Sequence, residues 1–513
     1  MSRKWCSVLC AMAAALALAA CGNNSTTSTV ATTTSRGTLV ADPPLRIVSL
    51  SASALSAQLS ASASGTQLLQ LAGTPACGVD IYYMKYWTVA PAPPAGGAAP
   101  PTEVSGALMV PTGSGAQCSG ARPIVLFAHG ITTDSTFNIA DVTNPSNTEG
   151  PLIAAVFAAQ GDIVVAPNYA GYDISNLGYH PFLNAAQNAD DMIDALAAAR
   201  TALPHTFTPA TTDSGTLFVT GISEGGYVAM ATDKAMQAAG DKVTATATIS
   251  GPYAPEAFVD AVMFGNVLYG GSALAPILTT SYQKAYGNLY QAPTDIYSAP
   301  YATGIETLLP SPTSVTTLIQ QGMLPQALFS SSPPLTGNPV LDALLAVPTN
   351  PLFAAGFGNP FLITNAYRLS YVEDAVANPD GAVQQQAPGN VPLAAAPQSP
   401  FRQDLALNDM RTWTPRMPML LCGGDQDPVV FYSVNTGTMA AFWSIQVSEG
   451  LVSVLDVNGT PQTGSPFAPL QTAFQQTEAQ ILASQGQQAA VASYHGVASE
   501  FCTVAARSFF SQF

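Results

Sequence analysis

The chain has 513 residues, enough for one large domain with insertions or for two to three domains, and with 48% hydrophobic and 9% charged residues it can bury a sizeable core. Its formal charge of −16 excludes nucleic acid as a partner, because phosphate recognition needs clustered Lys and Arg. Few charges among many Ala, Ser, Thr, Gly and Pro suit a secreted chain better than a cytosolic one.

The first residues carry a compartment signal. Arg3 and Lys4 precede Val8 to Ala20, an apolar run too short to span a bilayer comfortably, so residues 1–20 are expected to be a signal peptide. The run ends in Leu18-Ala19-Ala20-Cys21, which resembles a bacterial lipobox with Cys21 as the lipidated first mature residue. Gly22 stands where an inner-membrane lipoprotein carries Asp, so the expected location is the cell envelope, as an outer-membrane lipoprotein anchored by its lipid. Ordinary cleavage to a secreted product is the alternative. Residues 21–42 read as a Ser/Thr-rich tether without periodicity. With Cys6 and Cys10 in the signal peptide and Cys21 carrying lipid, four of the seven cysteines remain, an even number that points to two disulfides in an oxidising compartment. Cys77–Cys118 and Cys422–Cys502 are the favoured pairs, with two other connectivities open. No Cys/His spacing fits a zinc site, and no metal or organic cofactor is expected.

Further along, Asp80 to Val89 and Glu103 to Val110 read as strands joined across the Pro/Gly/Ala loop Ala90 to Pro101. Ile124 to Ala128 belongs to an apolar run of buried-strand type. Pro151 to Gln160 reads as helix, Asp162 to Ala166 as strand and Asn184 to Leu203 as a long helix. Asp190, Asp191 and Asp194 on that helix read as a solvated face. Thr216 to Thr220 is β-prone, Tyr227 to Ala239 suits a helix, and Thr244 to Ser250 is a β-branched strand. Strands alternating with helices imply a mostly parallel sheet covered on both faces. The alternation fails between about Pro252 and Pro400, a segment with helical stretches at Phe258 to Tyr269 and Phe361 to Val376. Met417 to Cys422 and Val452 to Val457 resume the strand pattern; Pro469 to Gln485 and Gly496 to Phe510 are expected helices.

Between the strand at Thr216 and the helix at Tyr227 lies Gly221-Ile222-Ser223-Glu224-Gly225-Gly226. Strand, Gly-x-Ser-x-Gly, helix resembles the nucleophile elbow of the α/β-hydrolases, in which a sharp turn holds the serine oxygen out at the carboxyl end of the sheet. A serine alcohol needs a base within hydrogen-bond reach and that base needs an orienting acid; in this fold they follow the serine in the order acid, then histidine. Of His129, His180, His205 and His495, only His495 comes after the elbow, in Ser493-Tyr494-His495-Gly496 directly before the expected last helix. The acid is expected in Gly424-Asp425-Gln426-Asp427-Pro428-Val429-Val430, after a late strand. Gly-x-x-Asp-x-x-Val favours Asp427 over Asp425, and the other aspartate would brace the loop. The oxyanion donors are expected to be the N–H of Glu224 and the N–H of Ile131, in the turn His129-Gly130-Ile131 after the Ile124 strand. His129 reads as structural. Tyr169 and Tyr172, just after a strand, read either as site-lining or as packing residues.

Val104-Ser105-Gly106-Ala107-Leu108-Met109-Val110-Pro111, the His129-Gly130 turn, Pro167-Asn168-Tyr169-Ala170-Gly171-Tyr172, His180-Pro181-Phe182, the elbow and the Asp427 loop occur in an order that resembles the secretory lipase family, the lipase A type of α/β-hydrolase, and its bacterial relatives. The resemblance covers roughly residues 80–255 and 415–510. It implies an α/β-hydrolase fold with a mostly parallel central sheet and an inserted helical cap, core residues 43–255 and 401–513 flanking a cap at 256–400. It also implies carboxylester hydrolysis by Ser223, Asp427 and His495; the apolar composition of the expected cap points to an acyl group or other hydrophobic moiety in the substrate. The gap of about 68 residues between Asp427 and His495 is longer than the fold usually needs, so an extra strand and helix are expected there. A serine peptidase of the prolyl oligopeptidase kind would use the same triad but should carry propeller repeats, which the sequence lacks. A binding protein that kept the fold would not need all three residues in order.

Overall fold

The computed structural model describes residues 35–208, 210–382 and 392–513; the expected signal peptide, Cys21 and most of the expected tether lie outside them. Among the described residues, one sheet is built from β1 (Leu45–Leu50), β2 (Gly78–Val89), β3 (Pro101–Thr112), β4 (Gly120–Ala128), β5 (Ile163–Pro167), β6 (Thr211–Ile222), β7 (Ala245–Ile249), β10 (Met419–Gly423) and β11 (Val452–Asp456). The short pair β8 (Phe329–Ser330) and β9 (Phe357–Gly358) lies apart from it. The order is β1-β2-β3-β5-β4-β6-β7-β10-β11. The first three pairings are antiparallel and the rest parallel, from β5–β4 to β10–β11. Parallel strands buried on both faces favour unbroken apolar runs, which β5, β10 and the Ile124 to Ala128 part of β4 supply; β7 is buried as well but alternates alanine with Thr246 and Thr248. Helices α1 (Ala52–Ser60), α2 (Ala63–Ala72), α3 (Glu149–Val156), α4 (Ala185–Ala202) and α5 (Glu224–Ala239) belong to the core, and side chains from the two sheet faces enter two separate apolar clusters. This is the α/β-hydrolase fold.

The amino-terminal part is more ordered than its composition implies. Residues 36–40, assigned to the tether, lie against β2: Gly37 N–H donates to Trp87 O (2.8 Å) and Val40 N–H to Lys85 O (2.8 Å). β1, α1 and α2 follow, with Ser51 and Ser62 capping the two helices through their side chains. Disulfides join Cys77 to Cys118 and Cys422 to Cys502, the favoured pairs, and fit an oxidising compartment. Among the described residues no helix is long and apolar enough to cross a membrane.

Between β7 and β10 the chain forms an inserted helical cap that includes α6 (Pro255–Met263), α7 (Gly271–Tyr286) and the helices Asn365–Ala377 and Pro400–Leu407. Arg402, fully buried, fastens the last of these to α6 through paired bonds to Asp260 (2.9 and 2.8 Å) and reaches Asp374 at 3.2 Å. A buried guanidinium needs such paired, hydrogen-bonded carboxylates to offset lost hydration.

Two expectations are corrected. Two of the three acids on α4 are not on a solvated face: Asp191 is fully buried and accepts the Ala170 N–H (2.9 Å), and Asp194 accepts from Thr88 Oγ1 (2.7 Å) and Arg36 Nε (3.0 Å), while Asp190 stays partly exposed and pairs with Arg36 (2.6 Å). The carboxyl-terminal helix starts at Gln487, not Gly496, and runs to Phe510, so His495 sits within it. The alanine-rich Gln487 to Ala492 extends the helix, and burial of Ala490, Tyr494 and Ala498 holds it through a glycine. A Cβ at Gly496 would meet nothing within 4 Å. Gly496→Ala should therefore raise unfolding stability by about 0.5–1 kcal/mol, measurable as a higher urea midpoint; an unchanged or lower midpoint would contradict a helical backbone here.

Candidate active site

The strand-to-helix turn after β6 is as tight as its glycines imply. A Cβ at Gly221 would lie 2.2 Å from Gly225 O, and one at Gly225 would lie 2.0 Å from Ala128 O. Between them Ser223 adopts φ 58°, ψ −123°, a region that side chains other than glycine rarely occupy. Its N–H donates to Ile249 O (2.8 Å), which pins the turn to β7. Glu224 opens α5, so its N–H has no acceptor within the helix and the positive end of the helix dipole lies beside the serine.

Ser223, Glu224 and Ile131 share the wall of one cavity with Phe258 and Val262 of α6 and Leu278 of α7. It holds about 880 Å³ with its open mouth included, and carbon makes up nearly all of its lining.

Asp427 and His495 come together from opposite ends of the 68-residue gap: Asp427 Oδ2 lies 2.6 Å from His495 Nδ1. The helix Thr436–Trp443, β11, the helix Ala468–Gln485 and the first turns of the last helix fill that gap. Asp427 Oδ1 accepts the N–H groups of Val429 (2.9 Å) and Val430 (3.0 Å), which fixes the carboxylate. Asp425 points elsewhere, accepting from Asn458 Nδ2 at 2.7 Å. Tyr494 OH accepts the Gln426 N–H (3.3 Å), and the Cys422–Cys502 disulfide ties β10 to the helix that carries His495. Burial alone would lower the His495 pKa, but the Asp427 charge and hydrogen bond, joined by the Glu149 charge, outweigh it and leave it raised. Among the described residues His495 Nε2 is buried without a hydrogen-bond partner. With Nδ1 committed to Asp427, Nε2 is the ring atom left to exchange a proton.

The turn after β4 is held from several sides. His129 is fully buried, which lowers its pKa to about 4; its Nδ1 lies 2.7 Å from Gly130 O and its Nε2 3.2 Å from Asn168 O, and the ring stacks on Tyr169 (4.2 Å between centroids). Tyr169 OH donates to His129 O (3.0 Å) and Tyr172 OH to Thr132 O (2.8 Å). Both tyrosines are buried supports of this loop and neither lines the cavity. His180 Nε2 lies 2.6 Å from Glu224 Oε1, both side chains fully buried; the carboxylate outweighs the lowering effect of burial and raises the His180 pKa. Sequence reasoning did not single out this pair, which braces the first residue of α5, nor Glu149, whose carboxyl accepts the Gly130 N–H (3.1 and 3.2 Å). The position of Glu149 at the start of α3, where acids favour the helix dipole, was the one available signal. Among the described residues no group of His, Cys, Asp and Glu could hold a metal ion.

The fold and the elbow define an α/β-hydrolase, and comparison with known proteins agrees. No family model matches the chain, and no curated protein matches its sequence. Among solved structures it is similar to the rice cell wall degrading esterase LipA from Xanthomonas oryzae in a ligand-bound form (25% identity, TM-score 0.65, 92% of this chain and 98% of that one). A second structure of the same esterase gives 26% identity and TM-score 0.63 over the same shares. A putative hydrolase from Legionella pneumophila shares the fold at 18% identity, TM-score 0.59, over 91% of this chain and 96% of that one.

Proposed function

We propose that this protein is a serine carboxylester hydrolase of the secretory lipase kind, working through an acyl-enzyme on hydrophobic esters. The observation that carries the reading is the strained Ser223 opening on an apolar cavity, at the elbow of a fold whose late acid and histidine are already hydrogen-bonded to each other. The similarity to an esterase over nearly the whole of both chains supports it.

In this mechanism His495 Nε2 takes the Ser223 proton as the oxygen attacks the ester carbonyl. Asp427 holds the ring in the tautomer with Nδ1–H and stabilises the imidazolium. The oxyanion is received by the N–H groups of Glu224 and Ile131, and His495 returns its proton to the departing alcohol. Water, activated by the same imidazole, then cleaves the acyl-enzyme. The apolar cavity takes the acyl group, the chemistry its lining can hold. The proposed setting is the cell envelope, with Cys21 lipidated and the body of the protein held at a membrane surface.

A p-nitrophenyl ester series with the purified protein tests the substrate class. kcat/KM should rise from acetate towards medium chains by up to about fourfold per methylene, the limit set by about 0.8 kcal/mol per buried CH₂, and then level off when the cavity is full. A fluorophosphonate should add its mass to the peptide containing Ser223. A flat series, or label on any other residue, would count against the proposal.

A further inference from the structure

The oxyanion loop and the histidine share a neighbour that the triad leaves unused. Glu149, the first residue of α3, turns its carboxyl to the Gly130 N–H, which it meets through both oxygens. A methyl group at Gly130 would lie 3.1 Å from Glu149 Oε1 and 3.4 Å from Ser223 Cβ, so carboxyl and nucleophile stand on either side of one small gap. Three elements face this carboxyl: the loop after β4 with the Gly130 amide, α5 with Glu224, and the last helix with His495. The charged groups facing His495 are in turn Asp427 and Glu149.

We propose that Glu149 is a positioning residue for hydrolysis at Ser223: by accepting the Gly130 N–H it aims the next amide, that of Ile131, at the oxyanion, and by its charge it couples that loop to the protonation of His495. The proposal rests on the esterase reading for its kinetic consequence but not for its electrostatic one. Burial pushes the Glu149 carboxyl up to about 7, Glu224 adds to the rise, and the Gly130 amide and His495 act against it. Each charge therefore acts on the other's protonation, the Glu149 carboxylate raising His495 and the His495 charge holding Glu149 down. A purely structural acid at a helix start would fix α3 without touching the imidazole.

Two substitutions separate the roles. Glu149→Gln keeps an acceptor for the Gly130 N–H and removes the charge; Glu149→Leu removes both. The electrostatic half is read by histidine-selective ¹⁵N NMR, where the four imidazoles are few enough to follow and His495→Gln assigns the signal. The apparent pKa of His495 should fall in both variants relative to the native protein. The positioning half is read in kcat: Glu149→Leu should lose about ten- to a hundredfold, less than the 10²–10³ of a deleted oxyanion donor, with KM little changed, and Glu149→Gln should recover most of that loss while its acid limb moves to lower pH. An unshifted His495 titration in Glu149→Gln overturns the coupling whether or not any ester is hydrolysed. Equal kcat in the native protein and Glu149→Leu overturns the positioning role. Absence of ester hydrolysis by the native protein sinks the esterase reading and leaves the NMR result to decide the coupling.

Discussion

Ser223→Ala should reduce kcat on p-nitrophenyl esters by about 10⁵–10⁶-fold with the fold intact. The size follows if the site works as a unit in the proposed mechanism: without the hydroxyl no acyl-enzyme could form, His495 would have no proton to take, and what would remain is binding and the oxyanion amides, worth about 10³–10⁴ over water. Stability should hardly change, because alanine removes one side-chain oxygen and the backbone bond from Ser223 N–H to Ile249 O survives. The variant should also lose fluorophosphonate labelling. Turnover within tenfold of the native protein would place the nucleophile elsewhere and withdraw the proposed function. The converse substitution is also informative. Alanine at Gly225 would drive a methyl into Ala128 O at 2.0 Å, so that variant should fail by displacing the turn and not by losing a reactive group. Unfolding midpoint and activity should fall together there, and part company in Ser223→Ala.

The elbow was legible in sequence because a close crossing of strand, turn and helix demands glycine at fixed positions, and few other structures do. The disulfides were legible because four cysteines lay outside the expected signal peptide and the expected lipidated Cys21, and strands such as β5 and β10 because parallel burial favours continuous apolar runs. Asp427 was preferred to Asp425 on spacing alone, and the structure puts it 2.6 Å from His495. What stayed hidden shares one cause: a partner far along the chain whose chemistry leaves no local pattern. Asp191 and Asp194 look like a wet helix face until the Ala170 amide, Thr88 and Arg36 arrive from other elements. Glu149 resembles any acid in a first helical turn; its meaning depends on a backbone amide 19 residues earlier and an imidazole at the other end of the chain. The extension of the last helix back to Gln487 was missed because Gly496 reads as a boundary, whereas buried Tyr494 and Ala498 on either side outweigh its local cost. α1 and α2 were missed because their Ala/Ser-rich composition continues that of the expected tether, and only the capping serines mark where the helices begin; β1 (Leu45–Leu50) was missed because it is a short edge strand with mostly exposed side chains.

Asp427→Asn is expected to lower kcat by about 10⁴-fold, with a change in pH dependence that Ser223→Ala cannot report. Asp427 uses its two oxygens differently: Oδ1 takes the Val429 and Val430 amides, and Oδ2 takes the imidazole. In the asparagine variant the amide oxygen would stay with the two N–H groups, leaving the NH₂ against Nδ1. That arrangement moves the ring proton to Nε2, where it blocks acceptance of the Ser223 proton. The sign of the pH effect follows from the balance at His495. Burial lowers its pKa and the carboxylates raise it, Asp427 ahead of Glu149. Neutralising Asp427 therefore lets the imidazole lose its proton at lower pH, and the acid limb of the residual kcat/KM should move in that direction. Asp425→Asn is the matched control, because its carboxylate bonds Asn458 and not the imidazole; its pH profile should overlay that of the native protein. If Asp425→Asn showed the large loss and the shifted limb, and Asp427→Asn neither, the pairing with His495 would not be the one that operates in turnover.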